Sequence, residues 1–134
     1  MTYKGFKGHS VLMSFLSELD LCIADEYRTG AVYAGKGILE QLIYSHELLK
    51  TTGKKLKYFR SDSAAYNNTI INECCKRKIT FTITADQDIS VKESIKSIQN
   101  KEWKTLYDKD GFKTDREYAT VVHCMNKSDE SFTL

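Results

Sequence analysis

A chain of 134 residues, 41% apolar and 28% charged, holds enough material for one compact core. Its net charge of +2 and its 11% aromatic content exclude a disordered polyelectrolyte, and give no sign of a polyanion partner beyond local basic patches. No apolar run reaches the roughly 18 residues of a membrane span, and "MTYKGFKGHS" lacks the apolar stretch of a secretory signal, so a cytoplasmic protein is expected, with no membrane partner.

In chain order, "HSVLMSFLSE" (His9 to Glu18) and "LCIADEYR" (Leu21 to Arg28) read as two strands. The short break at Leu19 and Asp20 predicts an antiparallel hairpin. "TGAVYAGKG" is a glycine-rich loop. "ILEQLIYSHELLK" (Ile38 to Lys50) has helical spacing, with Leu39, Leu42, Ile43, His46 and Leu49 on one stripe and Gly53 as a left-handed cap beyond its end. His46 on that stripe reads as a helix-face residue rather than a ligand.

"KLKYFRSD" reads as a third strand, and "NNTIINECCKRK" as a helix that turns Ile70, Ile71, Cys74 and Cys75 inward. "ITFTITAD" alternates Ile79, Phe81 and Ile83 with three Thr, the pattern of a strand with one apolar face. "SVKESIKSIQ" reads as a surface helix, "EWKTLYDKDGFKTD" as polar and irregular with Trp103 as an anchor, and "REYATVVHCM" as a last strand. Two antiparallel strands followed by helical crossovers predict an α/β fold: one domain over residues 1–134, a mixed sheet with helices packed on it.

The four Cys follow no CxxC spacing and read as reduced, apolar side chains; His123 and Cys124 are strand neighbours that face opposite ways, which argues against a shared zinc. The residue that draws attention is Asp62, where the third strand stops and a helix is about to start. Ligands of open α/β sheets bind beyond the carboxyl ends of strands, yet a lone carboxylate there serves equally as a turn or cap residue. Arg60 beside it fits a structural ion pair or a phosphate contact, and spacing does not choose between them.

"FRSDSAAY" resembles the segment around the second catalytic Asp of the DDE transposases of bacterial insertion sequences. "YKGFKGHSVLMSFLSELDLCIADEYRTG" is similar to the passage before it in that family, and "ITFTITAD" and "REYATVVHCM" to later strands, in order along nearly the whole chain. The resemblance implies a ribonuclease H-like fold and DNA cleavage followed by strand transfer. In that chemistry three carboxylates hold two Mg²⁺ (or Mn²⁺) ions, which stabilise the attacking and leaving oxygens from about 3.5–4 Å apart.

Asp62 alone carries over, as catalytic and metal-binding residue. In the family the first acid lies on a strand before "YKGFKG" and the third, a Glu, on a helix beyond the last strand seen here, so the chain is expected to be truncated at both ends, the central part of the catalytic domain. Asp25, Glu26 and Glu117 read as solvated or structural, and Asp86 and Asp88 as turn residues. Lys4, Lys7, Arg28, Lys36 and Arg60 are candidate DNA contacts; the run Lys54, Lys55 and Lys57 reads as a solvated face.

An incomplete triad predicts little or no nicking by the chain alone, and no tightly bound Mg²⁺. A sheet lacking its first strand exposes an edge or a central gap, which predicts self-association or pairing with a full-length transposase. The alternative function is a non-catalytic remnant that binds DNA or inhibits a full-length relative; an unrelated small α/β domain is the third reading.

Overall fold

The computed structural model describes residues 5, 7–125 and 130–134. Its packing divides into two compact units, residues 1–84 and 85–134, each taken by itself. The fold is mixed α/β. Among the described residues three α-helices accompany strands that pair two by two rather than as the single mixed sheet expected.

In the first unit, β1 (His9–Leu16) and β2 (Leu21–Thr29) form the expected antiparallel hairpin, with an irregularity between Ser14 and Phe15. β1 alternates strictly: Ser10, Leu12, Ser14 and Leu16 are half-buried, while Val11, Met13 and Phe15 are exposed. α1 (Ile38–Thr51) follows the glycine loop. Its end is built as the sequence predicts: Gly53 takes φ 73°, and the Gly53 and Lys54 N–H groups donate to the carbonyls of Lys50 and Leu49.

The buried face of α1 differs from the apolar stripe. Ile38, Gln41, Leu42 and Ser45 are the buried residues, whereas Leu39, Ile43, His46 and Leu49 are half-buried. Gln41 turns inward because its amide is satisfied there: Nε2 donates to the Leu12 carbonyl at 3.2 Å, and Oε1 accepts from the Ser14 hydroxyl at 2.5 Å. A buried polar group with partners on a neighbouring strand costs little.

β3 (Tyr58–Ser61) pairs in parallel with β4 (Thr80–Ile83), joined by α2 (Asn68–Arg77). The Asn67 side chain caps α2 by accepting from the Thr69 N–H at 2.8 Å. As the sequence predicts, Ile70, Ile71 and Cys74 are buried, and Cys75 is half-buried. Burial pushes the Cys74 thiol up to about 12, so it stays protonated and unreactive. Ile38, Leu42, Ala65, Ile70, Cys74 and Ile79 form one core. Leu12 of the hairpin and Phe59, Phe81 and Ile83 of the parallel pair pack against it.

In the second unit, α3 (Ile89–Lys96) is capped by Asp88, whose Oδ1 accepts from the Val91 N–H at 2.8 Å. The stretch expected to be irregular is instead an antiparallel hairpin, β5 (Lys104–Tyr107) with β6 (Lys113–Tyr118). Asp108 makes its turn: Oδ1 accepts from the N–H groups of Asp110 and Phe112, and Gly111 supplies φ 86°. Trp103, expected to be an anchor, is exposed.

The single last strand of the sequence reading is broken after Tyr118. It resumes as β7 (Val122–Cys124), antiparallel to β8 (Ser131–Thr133). His123 is buried and Cys124 exposed, on opposite faces of β7. His123 Nδ1 lies 2.9 Å from the Ser94 hydroxyl, and its ring stands edge-on to Phe132 at 5.5 Å, tying β7 to α3 and β8.

Two stability changes follow. Ile71→Ala empties a site that is 1% exposed and is expected to cost about 2–5 kcal/mol. Lys78 ends α2 at φ 59°, so Lys78→Gly is expected to gain roughly 0.5–1 kcal/mol by relieving its Cβ in the left-handed region. Urea unfolding of the two variants beside the parent measures both.

Candidate functional site

Asp62 is exposed and follows β3 directly, at the carboxyl end of the parallel β3–β4 pair. Its backbone is extended, and its side chain caps the short 3₁₀ turn Ser63–Ala65, with Oδ1 accepting from the Ala64 N–H at 3.0 Å. One oxygen is thus committed to the turn, and no cation among the described residues is ion-paired with the carboxylate. The cap and a ligand role are compatible, because a carboxylate has further lone pairs and the cap fixes its rotamer.

Two elements brace this turn. Arg28 is buried, and its Nη1 donates to the Lys36 carbonyl and, at 3.4 Å, to the Ala34 carbonyl. Its Nε is buried without a hydrogen-bond partner. Arg28, a candidate DNA contact by sequence, has its guanidinium largely withdrawn from solvent and clamps the glycine loop from inside. The clamped loop reaches the Asp62 turn at Gly35. A Cβ on Gly35 would stand 2.7 Å from the Ala64 carbonyl oxygen, closer than real Cβ contacts. Gly37, with φ 87°, leaves similar room for Glu26 Oε2.

Sequence reasoning saw three glycines as a loop signal and missed that Gly35 permits a backbone approach. The glycine spacing was the only available hint. Of the other cations singled out, Lys7, Lys36 and Arg60 are exposed, and Lys4 lies outside the described residues. Lys36 belongs to the clamped loop and Arg60 to β3, so both stand on elements that meet the Asp62 turn or lead into it. Glu117 lies on β6 and Asp88 caps α3; both have structural positions in the second unit. Among the described residues no group of three or more His, Cys, Asp or Glu side chains is gathered as a metal site.

A second charged cluster ties α1 to α2. Arg77 Nε donates to Glu73 Oε1 at 2.5 Å, and its Nη1 donates to Glu47 Oε1 at 2.6 Å and to His46 Nδ1 at 2.7 Å. The same His46 Nδ1 also lies 3.2 Å from Glu47 Oε1, so the ring sits between the guanidinium and the carboxylate. The cluster is structural: one guanidinium joins Glu47 and His46 of α1 to Glu73 of its own helix. Hydrogen bonds from Arg77 hold the Glu47 and Glu73 carboxyls below their ordinary value of 4.5.

A carboxylate depressed in the folded state stabilises the fold above its unfolded value and loses that contribution as pH falls through the folded one. The chain is therefore expected to lose thermal stability as the pH drops below about 4.5. Arg77→Met is expected to lower the midpoint by a few degrees at pH 7 and to flatten this acid-side decline. Melting curves from pH 7 to pH 3 on both proteins measure it.

No helix among the described residues is long and apolar enough to cross a membrane. No family model, no curated protein and no solved structure matches the chain.

Proposed function

We propose that this chain is built on the plan of a ribonuclease H-like DNA strand-transfer domain of the DDE transposase kind, with Asp62 in the place of the second catalytic carboxylate. The observation that carries the reading is the position of Asp62: exposed, at the carboxyl end of a parallel strand, on a turn braced by Arg28 and Gly35. The order hairpin, helix, strand, helix, parallel strand supports it. So does the open groove between β1 and β3, since the family places a further strand, bearing its first acid, ahead of the hairpin.

Two acids of the family's triad match no residue of this sequence, and the described residues offer no substitute set. What Asp62 contributes is one rigid, solvent-facing carboxylate, a single ligand toward a hard divalent cation that needs several oxygens. Lys36 and Arg60 are the exposed cations placed to meet a DNA phosphate nearby. The activity of the plan is DNA transposition, and with one matched acid these 134 residues are expected to show no strand transfer by themselves.

Asp62→Asn separates the two roles of the residue. Asn caps a turn as well as Asp does, so folding stability is expected to stay within about 0.5 kcal/mol. Millimolar Mn²⁺ is expected to broaden the amide resonances of residues 61–64 in the parent and not in the variant. Broadening that is absent, or identical in both proteins, would remove the proposed role of Asp62. Robust Mg²⁺-dependent nicking by the chain, abolished by Asp62→Asn, would show instead that the carboxylate set is complete.

A further inference from the structure

The first unit has two ends. The Asp62 turn and the glycine loop meet at one of them, where β3 stops and α1 and α2 begin. At the other, both helices finish and β3 and β4 begin. The length of α2, ten residues, holds the two ends about 15 Å apart.

Three contacts assemble the second end. Arg77, in the last turn of α2, donates to Glu47 of α1 at 2.6 Å. The Lys54 N–H donates to the Leu49 carbonyl at 3.0 Å and folds the loop after α1 back onto the helix end. The Thr80 N–H donates to the Lys57 carbonyl at 2.9 Å and sets the entry of β3 beside that of β4.

These contacts gather cations that are far apart in sequence. Lys50 comes from α1, Lys54, Lys55 and Lys57 from the approach to β3, and Lys76 and Lys78 from the end of α2; all are exposed. Glu47 and Glu73 are the only carboxylates in residues 46–57 and 73–80, and Arg77 engages both. Lys50 and Lys76 reach them at 3.8 and 3.7 Å, whereas Lys54, Lys55, Lys57 and Lys78 have no ion pair among the described residues. This end therefore carries more positive charge than the whole chain, whose net is +2.

A lysine in the last turn of a helix has a structural use, because it answers the negative end of the dipole. That accounts for Lys50 and Lys76. It does not account for Lys54, Lys55 and Lys57, which stand in a loop and at a strand entry. Read from sequence, that run is a solvated face; the fold brings the cations of two helix ends to it.

We propose that this end of the first unit holds the phosphate backbone of duplex DNA, whatever its sequence, at a surface separate from the Asp62 turn. Side-chain chemistry selects the partner. A duplex carries one negative charge per roughly 1.7 Å of axis, and ammonium groups on flexible stems meet such an array without a fixed register. Arg77, the guanidinium able to read a base edge, is committed to Glu47 and Glu73. The core of a protein interface is depleted of Lys and built on aromatic or Arg anchors, yet between Lys50 and Lys57 the exposed residues are Thr51, Thr52, Gly53 and lysines. A lipid surface calls for an exposed apolar anchor, and Leu56 packs against the core instead. The inference goes beyond the phosphoryl-transfer reading: it needs no metal and no residue of the Asp62 end.

The test is fluorescence anisotropy of a labelled duplex of about 20 base pairs with the full chain, in EDTA, between about 20 and 200 mM KCl. Saturable binding is expected, with log K falling against log salt at a slope of about −4 to −5, as for roughly five phosphate contacts. The triple variant Lys54→Gln, Lys55→Gln, Lys57→Gln is expected to bind about tenfold more weakly or worse and to lose about 2 to 3 of that slope. Lys76→Gln with Lys78→Gln, drawn from a different element, is expected to act in the same direction. These side chains are exposed, and an unchanged melting curve shows that the fold is intact. In the parent, the duplex is expected to shift the amide resonances of residues 54–57 and 76–78.

Absence of binding at low salt, full affinity in both variants, or amide shifts confined to residues 36 and 60–64 would each overturn the inference. So would tighter binding of poly-glutamate than of the duplex, which gives this end to an acidic protein. Binding to phosphatidylserine vesicles in place of the duplex would also overturn it and give the end to a membrane surface. With EDTA present the readout involves no metal, so its failure and that of the Mn²⁺ experiment on Asp62 are separate events.

Discussion

The first unit depends on a core that two helices share between two strand pairs. Ile38 and Leu42 from α1, and Ile70 and Cys74 from α2, close on one another, with the hairpin reached through Leu12 and the parallel pair through Phe59 and Phe81. The two pairs have no backbone hydrogen bond to each other in any sheet of the described residues, so burial of apolar side chains does the joining that a continuous ladder does elsewhere. Everything else in the unit is placed by that arrangement: the Asp62 turn at the end of β3, the loop that Arg28 clamps, and the open channel over α1.

Charge plays two different parts around this core. Arg28 and Arg77 are spent on structure, one on carbonyls within the glycine loop and the other on Glu47, Glu73 and His46 across the helices. Lys36, Lys55, Lys57 and Arg60 stay exposed. A guanidinium withdrawn from water must find acceptors nearby, whereas an exposed ammonium keeps its hydration shell and stays open to a partner. This contrast, more than the near-neutral total charge, decides which cations can serve in recognition.

The regular elements of the first unit were legible because their signals were local. The alternation of β1, the spacing of Ile70, Ile71 and Cys74, and Gly53 after α1 each follow from backbone period and steric preference. Asp62 was legible as a strand-end carboxylate, and spacing left its cap role open until the Ala64 N–H was seen beside it.

What stayed hidden needed a partner distant in sequence. The polarity of Gln41 hid its burial, because only the Leu12 carbonyl makes that burial tolerable. The role of Arg28 depends on a carbonyl eight residues away, and that of Gly35 on a carbonyl of a later turn. β5 and the first half of β6 escaped notice because nearly every position is exposed, with only Thr105 and Thr114 half-buried, so they lack the alternation that marks a half-buried strand.

The thiols sort themselves by reactivity. Cys74 is sealed and held protonated to about 12, while Cys22 and Cys124 reach the surface, one in each compact unit. Replacing the half-buried Cys75 by Ser would leave two addressable sulfurs and one inert one. A maleimide dye pair attached there would turn the chain into a molecular ruler, reading the span between its two compact units in solution.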